Sequence, residues 1–167
     1  MFKVFHRLND VDINALKFLY RQRINEMQAD LYSEKGASEG NLLAEQDFYY
    51  DVCSFFRIDG AFLFVRLEGD TYVTAARIEP YMDGCLLAGL ETDPAFRSRG
   101  YAKQLIMSLI GFLREIDCKC LYSHVDTTNY ASLAAHYACG FQKKYDYAKF
   151  IDGTVSSKSI TLYTSIK

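Results

Sequence analysis

Two hydrophobic periods divide the chain, a helical one near each place where the chain must cover a sheet and an alternating one between. Residues 2–8 read as a first strand. Over residues 11–32, Val11, Ala15, Leu16, Leu19, Tyr20, Met27 and Leu31 recur at a mostly helical spacing, with Asn9 and Asp10 placed to cap the helix. Residues 33–41, polar and containing Gly36 and Gly40, read as a loop. A second helix is predicted over residues 43–56, rich in aromatics (Phe48, Tyr49, Tyr50, Phe55, Phe56).

The period then changes to two. Residues 61–67, 71–81 and 85–92 read as strands, joined by turns at Glu68-Gly69-Asp70 and Met82-Asp83-Gly84, which makes an antiparallel meander. An amphipathic helix follows residue 100, with Leu105, Ile106, Leu109, Ile110, Leu113 and Ile116 on one face. Residues 118–125 return to strand, and Asp126-Thr127-Thr128-Asn129 caps a short helix reaching about residue 139. Gly140 suits the position after that helix, where a left-handed backbone is cheapest for glycine. Strands over residues 141–151 and 159–166 flank Asp152-Gly153. The order implies an α+β fold with mixed sheet pairing.

Composition narrows the class. A chain of 167 residues suits a single domain spanning residues 1–167, long enough to bury roughly 70% of its unfolded surface without a staple. Half of it (50%) is apolar, 24% is charged and only 2 residues are proline, which excludes a disordered or fibrous protein. No apolar run approaches the ~20 residues that cross a bilayer and the first residues are no signal peptide, so the expectation is a cytoplasmic protein with no membrane partner. Net charge is 19 − 21 = −2 with no basic stripe, and no nucleic-acid partner is expected. The 5 cysteines (Cys53, Cys85, Cys118, Cys120, Cys139) include no Cys-x-x-Cys. Cys118 and Cys120 with His124 lack the second ligand pair of a structural zinc site, so buried reduced thiols and no metal are expected.

Residues 85–106 carry the most chemistry: a strand, a basic glycine turn, then a helix. Free backbone N–H groups and the positive end of a helix dipole lie beside Arg97, Arg99 and Lys103, which is what a phosphate or pyrophosphate needs. Gly100 lets a ligand approach the backbone and Ala102 keeps the next contact small. No Gly-Lys-Ser/Thr follows, so it is no P-loop, and the Gly-x-Gly of a dinucleotide fingerprint is missing. The same residues also suit an ordinary strand-to-helix loop with solvated arginines.

Arg97-x-x-Gly100-x-Ala102, after a strand ending Leu90-Glu91-Thr92-Asp93-Pro94, resembles the acetyl-CoA signature of the GCN5-related N-acetyltransferase (GNAT) superfamily. Downstream, Asn129-x-x-Ser132-x-x-x-x-Tyr137-x-x-Gly140-Phe141 resembles the family's second motif. The resemblance covers about residues 61–147. It implies a GNAT-like, mostly antiparallel sheet of about six to seven strands flanked by about four helices, splayed between the fourth and fifth strands. It also implies acetyl-CoA as acetyl donor, its pyrophosphate on the amides of Arg97, Ser98, Arg99, Gly100, Tyr101 and Ala102, with Lys103 also binding the cofactor. The pantetheine arm would pair with the strand end at Leu90 and Thr92, whose amides face the thioester carbonyl, and would touch Asn129.

On the same resemblance, Tyr137 is the acid that protonates the leaving thiolate; as a residue alone it equally suits a core tyrosine. Asn129 also reads as a helix N-cap. Glu91, a carboxylate ending an apolar strand, is the first candidate for the base that deprotonates the amine, against a plain pairing with arginine; His124, Glu79 and Asp126 are further candidates. Acceptor selection is expected between residues 31 and 56, with Tyr32, Glu34, Glu45, Asp47, Tyr49 and Tyr50 available. The implied activity is transfer of an acetyl group to a small-molecule or peptide amine by a monomer or homodimer. The competing readings are a non-catalytic acyl-CoA-binding or protein-interaction module and a nucleotide-phosphate enzyme.

Overall fold

Asp12, rather than Asn9 or Asp10, starts the first helix: its carboxylate accepts hydrogen bonds from the amides of Asn14 and Ala15, both at 3.0 Å. In the computed structural model, which describes residues 1–166, the helix expected over residues 11–32 is two helices, α1 (Ile13–Leu19) and α2 (Arg21–Leu31). Tyr20 forms the joint, with φ −90° and ψ 11°. Its ring is buried against Phe48, and its hydroxyl donates to the carbonyl of Gly89, so tertiary contacts override the helical period at this residue.

The expected loop at residues 33–41 is mostly helix. α3 (Ala37–Phe55) begins after Gly36 and takes in Gly40. A Cβ at Gly40 would lie 3.1 Å from Gln28 Nε2 and 3.2 Å from the Tyr32 carbonyl oxygen, so this glycine serves the close approach of α2 and α3, and does not break the helix.

The meander forms as read. β1 (Phe2–Phe5), β2 (Phe62–Glu68), β3 (Thr71–Tyr81), β4 (Gly84–Thr92), β5 (Cys120–Asp126), β6 (Gln142–Tyr145) and β9 (Ser159–Ser165) build one seven-stranded sheet in the order β1-β2-β3-β4-β5-β9-β6. Every neighbour in it is antiparallel except β4 and β5. The strand expected over residues 141–151 ends at Tyr145. The chain then turns away to pair β7 (Ala148–Lys149) with β8 (Val155–Ser156), a small hairpin closed over Asp152-Gly153.

α4 (Tyr101–Glu115) and α5 (Tyr130–Tyr137) complete the helices, five where about four were expected because the first one splits. Leu105, Ile106, Leu109 and Leu113 of α4 pack on Ala76, Ile78, Leu87, Leu121, Val125 and Leu162 of the sheet. Ile116 does not join them; it ends the helix and is 53% exposed. On the opposite face, Leu16, Leu19, Phe48 and Val52 of α1 and α3 cover Leu63, Val65 and Ala75. No helix among the described residues is long and apolar enough to cross a membrane.

Candidate active site

β4 and β5 share only three register pairs, Cys85 with Leu121, Leu86 with Tyr122 and Leu87 with Ser123. The Ser123 hydroxyl bonds the Leu87 carbonyl at 3.2 Å, and beyond that point the strands part. β4 also bulges there. Glu91 opposes Ala75 and Ala88 opposes Arg77, so Gly89 and Leu90 stand against the single residue Ala76. Gly89 takes φ +56°, a conformation that suits glycine. The Tyr20 hydroxyl, pushed up to a pKa of about 12 by burial, holds the bulge through its bond to Gly89.

Past the bulge, the strand end is anchored from both sides. Buried Thr74 donates to the Glu91 carbonyl at 2.7 Å and lies 3.0 Å from the Thr92 hydroxyl. Asp93, 1% exposed, accepts from Ala95 N at 2.8 Å and so caps the 3-10 turn at Pro94–Phe96. Arg97 turns back: its Nε donates to the Thr92 carbonyl at 3.1 Å and its Nη2 to Glu91 Oε1 at 2.9 Å.

Ser98 and Gly100 both have positive φ (+60° and +78°), which sweeps the backbone round into α4. No side chain caps that helix, and its first internal bond is Gln104 N to Gly100 O at 3.0 Å. The amides of Tyr101, Ala102 and Lys103 precede that bond, where a helix leaves its donors without backbone partners. A Cβ at Gly100 would meet nothing nearer than Gln104 Nε2 at 3.8 Å, so the turn is open to a ligand.

These elements wall a cleft of about 750 Å³. Leu90, Glu91 and Thr92 form one side, Arg97, Ser98, Gly100, Tyr101, Ala102 and Lys103 the end, and Asn129, Ala131, Ser132, Ala134 and Ala135 the other side. Asn129 caps α5, its Oδ1 accepting from Ser132 N at 3.0 Å. Of the residues expected from the sequence, the structure gathers ten into this cleft: Leu90, Glu91, Thr92, Arg97, Ser98, Gly100, Tyr101, Ala102, Lys103 and Asn129.

The further base candidates Glu79, His124 and Asp126 lie outside that lining, and so do two of the residues expected from the family motifs. The Arg99 guanidinium sits over the Phe96 ring, 5.4 Å from its centroid. Tyr137 ends α5 with 47% of its surface exposed. Glu91 is inside but occupied, because Oε1 takes hydrogen bonds from both Arg97 and Thr92 N. Of the groups between residues 31 and 56, Tyr32 bonds Asp47, Glu45 pairs with Lys17 at 3.0 Å, and Tyr49 and Tyr50 face solvent.

Sequence reasoning did not find Gln22 and Glu26, which reach the cleft from α2. It also left out His136, which is buried on α5. Its Nδ1 lies 2.7 Å from the Ser132 carbonyl and its Nε2 has no partner; burial pushes its pKa below the ordinary value. The only prior signal was its place one turn after Ser132.

Residues 22–141 match the profile of the Acetyltransferase (GNAT) family. The chain belongs to that family. It is 30% identical over 76 residues to a [ribosomal protein bS18]-alanine N-acetyltransferase of Haemophilus ducreyi, a match spanning 46% of this chain and about half (52%) of that GNAT relative. Among solved GNAT structures, the fold resembles the ribosomal-protein-S18-alanine N-acetyltransferase of Escherichia coli, with a TM-score of 0.63 at 18% identity, covering 100% of this chain and 95% of that one. It also resembles the PaiA N-acetyltransferase of Thermoplasma acidophilum in complex with coenzyme A, with a TM-score of 0.69 at 9% identity, covering 99% of both chains.

Proposed function

We propose that this GNAT protein transfers an acetyl group from acetyl-CoA to a primary amine by direct attack in a ternary complex. The observation that carries the reading is the uncapped start of α4 behind Gly100, opening into a cleft whose far wall is the bulged, splayed end of β4. Helix N-terminal amides with a positive dipole suit the diphosphate of coenzyme A, and Arg97 and Lys103 add charge at the same end. The free edge of β4 at Leu90 and Thr92, left unpaired by the splay, offers main-chain groups to an extended pantetheine arm, with Asn129 and Ser132 opposite. Donors at the bulge then face the carbonyl whose oxygen gains charge during attack.

The proton steps follow from ordinary acidities. An amine of lysine-like pKa ~10.4 must lose a proton before it attacks, and a thiol of pKa ~8.5 leaves with modest help at neutral pH. Following the family resemblance, Tyr137 is assigned as the acid for the thiolate. Glu91, held by Arg97 and Thr92, is assigned to bracing the loop, with its second oxygen turned to the base's task only through water. The acceptor is a small-molecule or peptide amine; the Haemophilus ducreyi relative, which acts on an alanine of a ribosomal protein, supports the peptide arm.

Calorimetry with acetyl-CoA, followed by thiol release across amino acids, polyamines, aminoglycosides and peptides with free N-termini, tests the proposal. Binding with amine-dependent thiol release is expected. No uptake at millimolar acetyl-CoA overturns the cofactor site, and uptake without release for any amine replaces the transferase with a binding module.

A further inference from the structure

All five cysteines carry free thiols, and among the described residues one pair of them touches. Cys118 directs its thiol at Cys85, Sγ to Sγ 3.5 Å, too close for another atom to stand between them. The two belong to different elements. Cys85 lies near the start of β4, its backbone opposite Pro80 of β3 on one side and Leu121 of β5 on the other. Cys118 lies in the turn from α4 to β5, and its amide donates to the Leu113 carbonyl at 3.0 Å. Both backbones are therefore held in place. Both side chains pack on the α4 side of the sheet, against the core that contains Leu113 and Leu121.

The other three thiols are placed differently. Cys120 packs on the opposite face with Tyr81, Leu86 and Tyr122, and its Sγ lies 3.2 Å from Asp83 Oδ1. Cys139 is buried just past the end of α5, its Sγ 3.6 Å from the Lys103 carbonyl oxygen. Cys53 belongs to α3, which covers the other side of the sheet. Access separates them too: Cys120 and Cys139 are buried, whereas Cys85 and Cys118 are only half-buried. A covered single thiol is inert, but two thiols in contact and within reach of solvent are the starting arrangement for a disulfide.

We propose that Cys85 and Cys118 form an oxidation site for hydrogen peroxide, closing reversibly to a disulfide. Cys118 attacks first, because burial pushes the Cys85 thiol up to about 12 and the contact with Cys118 adds to the rise. The Cys118 thiolate forms an S–O bond with one peroxide oxygen. The O–O bond breaks with its electron pair on the other oxygen, which takes up the proton lost by Cys118 and leaves as water. The Cys85 sulfur then attacks the Cys118 sulfenic acid: the S–S bond forms, the S–O bond breaks, and the hydroxyl departs as water with the Cys85 proton. The two thiols lose two electrons and one peroxide is reduced to two waters. A dithiol reductant reverses the change by exchange.

The position of the pair gives the bond a consequence. The two cysteines are 33 residues apart, and the segment between them is β4, the Gly100 turn and α4. A disulfide there closes this whole unit at its base, beside the three register pairs that join β4 to β5. Such a cross-link acts mainly by restricting the unfolded chain, so the oxidised protein melts higher than the reduced one. Neither cysteine lines the cleft, so the site stands independently of the cofactor reading.

The test treats the reduced protein with hydrogen peroxide at about tenfold excess and reads intact mass, peptide maps and thermal melts. The expected result is a loss of about 2 Da per chain that dithiothreitol reverses, one cross-linked peptide joining residues 85 and 118, and a melting midpoint raised by about 5 °C. Cys85→Ser and Cys118→Ser should each abolish the mass loss. In Cys85→Ser, dimedone should tag Cys118, where the sulfenic acid has lost its partner. Cys120→Ser, altered on the other face, should still close the bond. If all five thiols of the treated protein remain open to alkylation, or the bond joins any other pair or two separate chains, the proposal is wrong. No dimedone tag on Cys118 in Cys85→Ser overturns the order of attack. The map of the unaltered protein decides the site even where a variant fails to fold.

Discussion

Arg21 grips Asp93 with two guanidinium nitrogens, Nη1 on Oδ2 at 2.9 Å and Nη2 on Oδ1 at 2.8 Å, and so ties α2 to the loop that leaves β4. The carboxylate is almost fully buried, and the arginine beside it holds its pKa below the usual value. Asp93→Asn should cost about 2 kcal/mol at neutral pH, because one partner of a shielded pair is left behind while Arg21 stays partly solvated. The sign of the pH dependence is fixed by the lowered pKa. The contribution is complete above the unfolded aspartate value of ~3.9 and fades as pH falls through it toward the folded one. Urea melts of both proteins should converge as pH falls below about 3.9; a constant gap would mean that the pair does not carry the difference.

Gly84 tests the closed end of the same two strands. A Cβ there would come 2.1 Å from the Cys120 carbonyl oxygen, a backbone atom that cannot swing aside. Gly84→Ala should therefore force β4 and β5 apart at the root of their short parallel pairing, at a cost of about 3 kcal/mol or more. Gly111, with nothing within 4 Å of its Cβ position, is the control, and Gly111→Ala inside α4 should be neutral or stabilising. Thermal melts that rank the two variants equally would contradict the close approach.

What was legible in the sequence is what depends on near neighbours. The meander, α4 and the Gly100 turn were readable because strand alternation, helical spacing and turn chemistry act over a few residues. The joint at Tyr20 was not, since its cause is Gly89, 69 positions away. Gly36 and Gly40 misled for a related reason: their composition signals a loop, but Gly40 is chosen for contact with Gln28 and Tyr32 on another helix. The strand end and glycine turn that wall the cleft were visible as one continuous segment. Gln22 and Glu26 were not, because only tertiary packing brings α2 to the end of β4.

Gly100 separates backbone strain from ligand exclusion. Its φ of +78° costs a side chain about 1 kcal/mol, and the nearest neighbour of an added Cβ is 3.8 Å away. Gly100→Ala should fold and still bind acetyl-CoA, with affinity reduced by less than about tenfold. Gly100→Glu adds bulk and a negative charge where we propose the diphosphate sits, and should abolish binding while thermal stability matches that of Gly100→Ala. Calorimetry showing equal affinity for the two variants would move the diphosphate away from this turn.

Tyr137 and its neighbour His136 divide the question of the acid. Tyr137 lies within a turn of Ala134 and Ala135, which line the cleft, and is exposed enough to meet a ligand laid along α5. His136 is inward and dry. If the tyrosine protonates the departing thiolate, Tyr137→Phe should lower turnover about tenfold near pH 7 with unchanged acetyl-CoA affinity. The deficit should shrink above about pH 9, where a thiolate of ordinary pKa ~8.5 leaves without a proton. A tyrosine that only packs on the surface predicts neither the drop nor its recovery with pH. Unchanged turnover in Tyr137→Phe would remove the tyrosine from the proton transfer to sulfur.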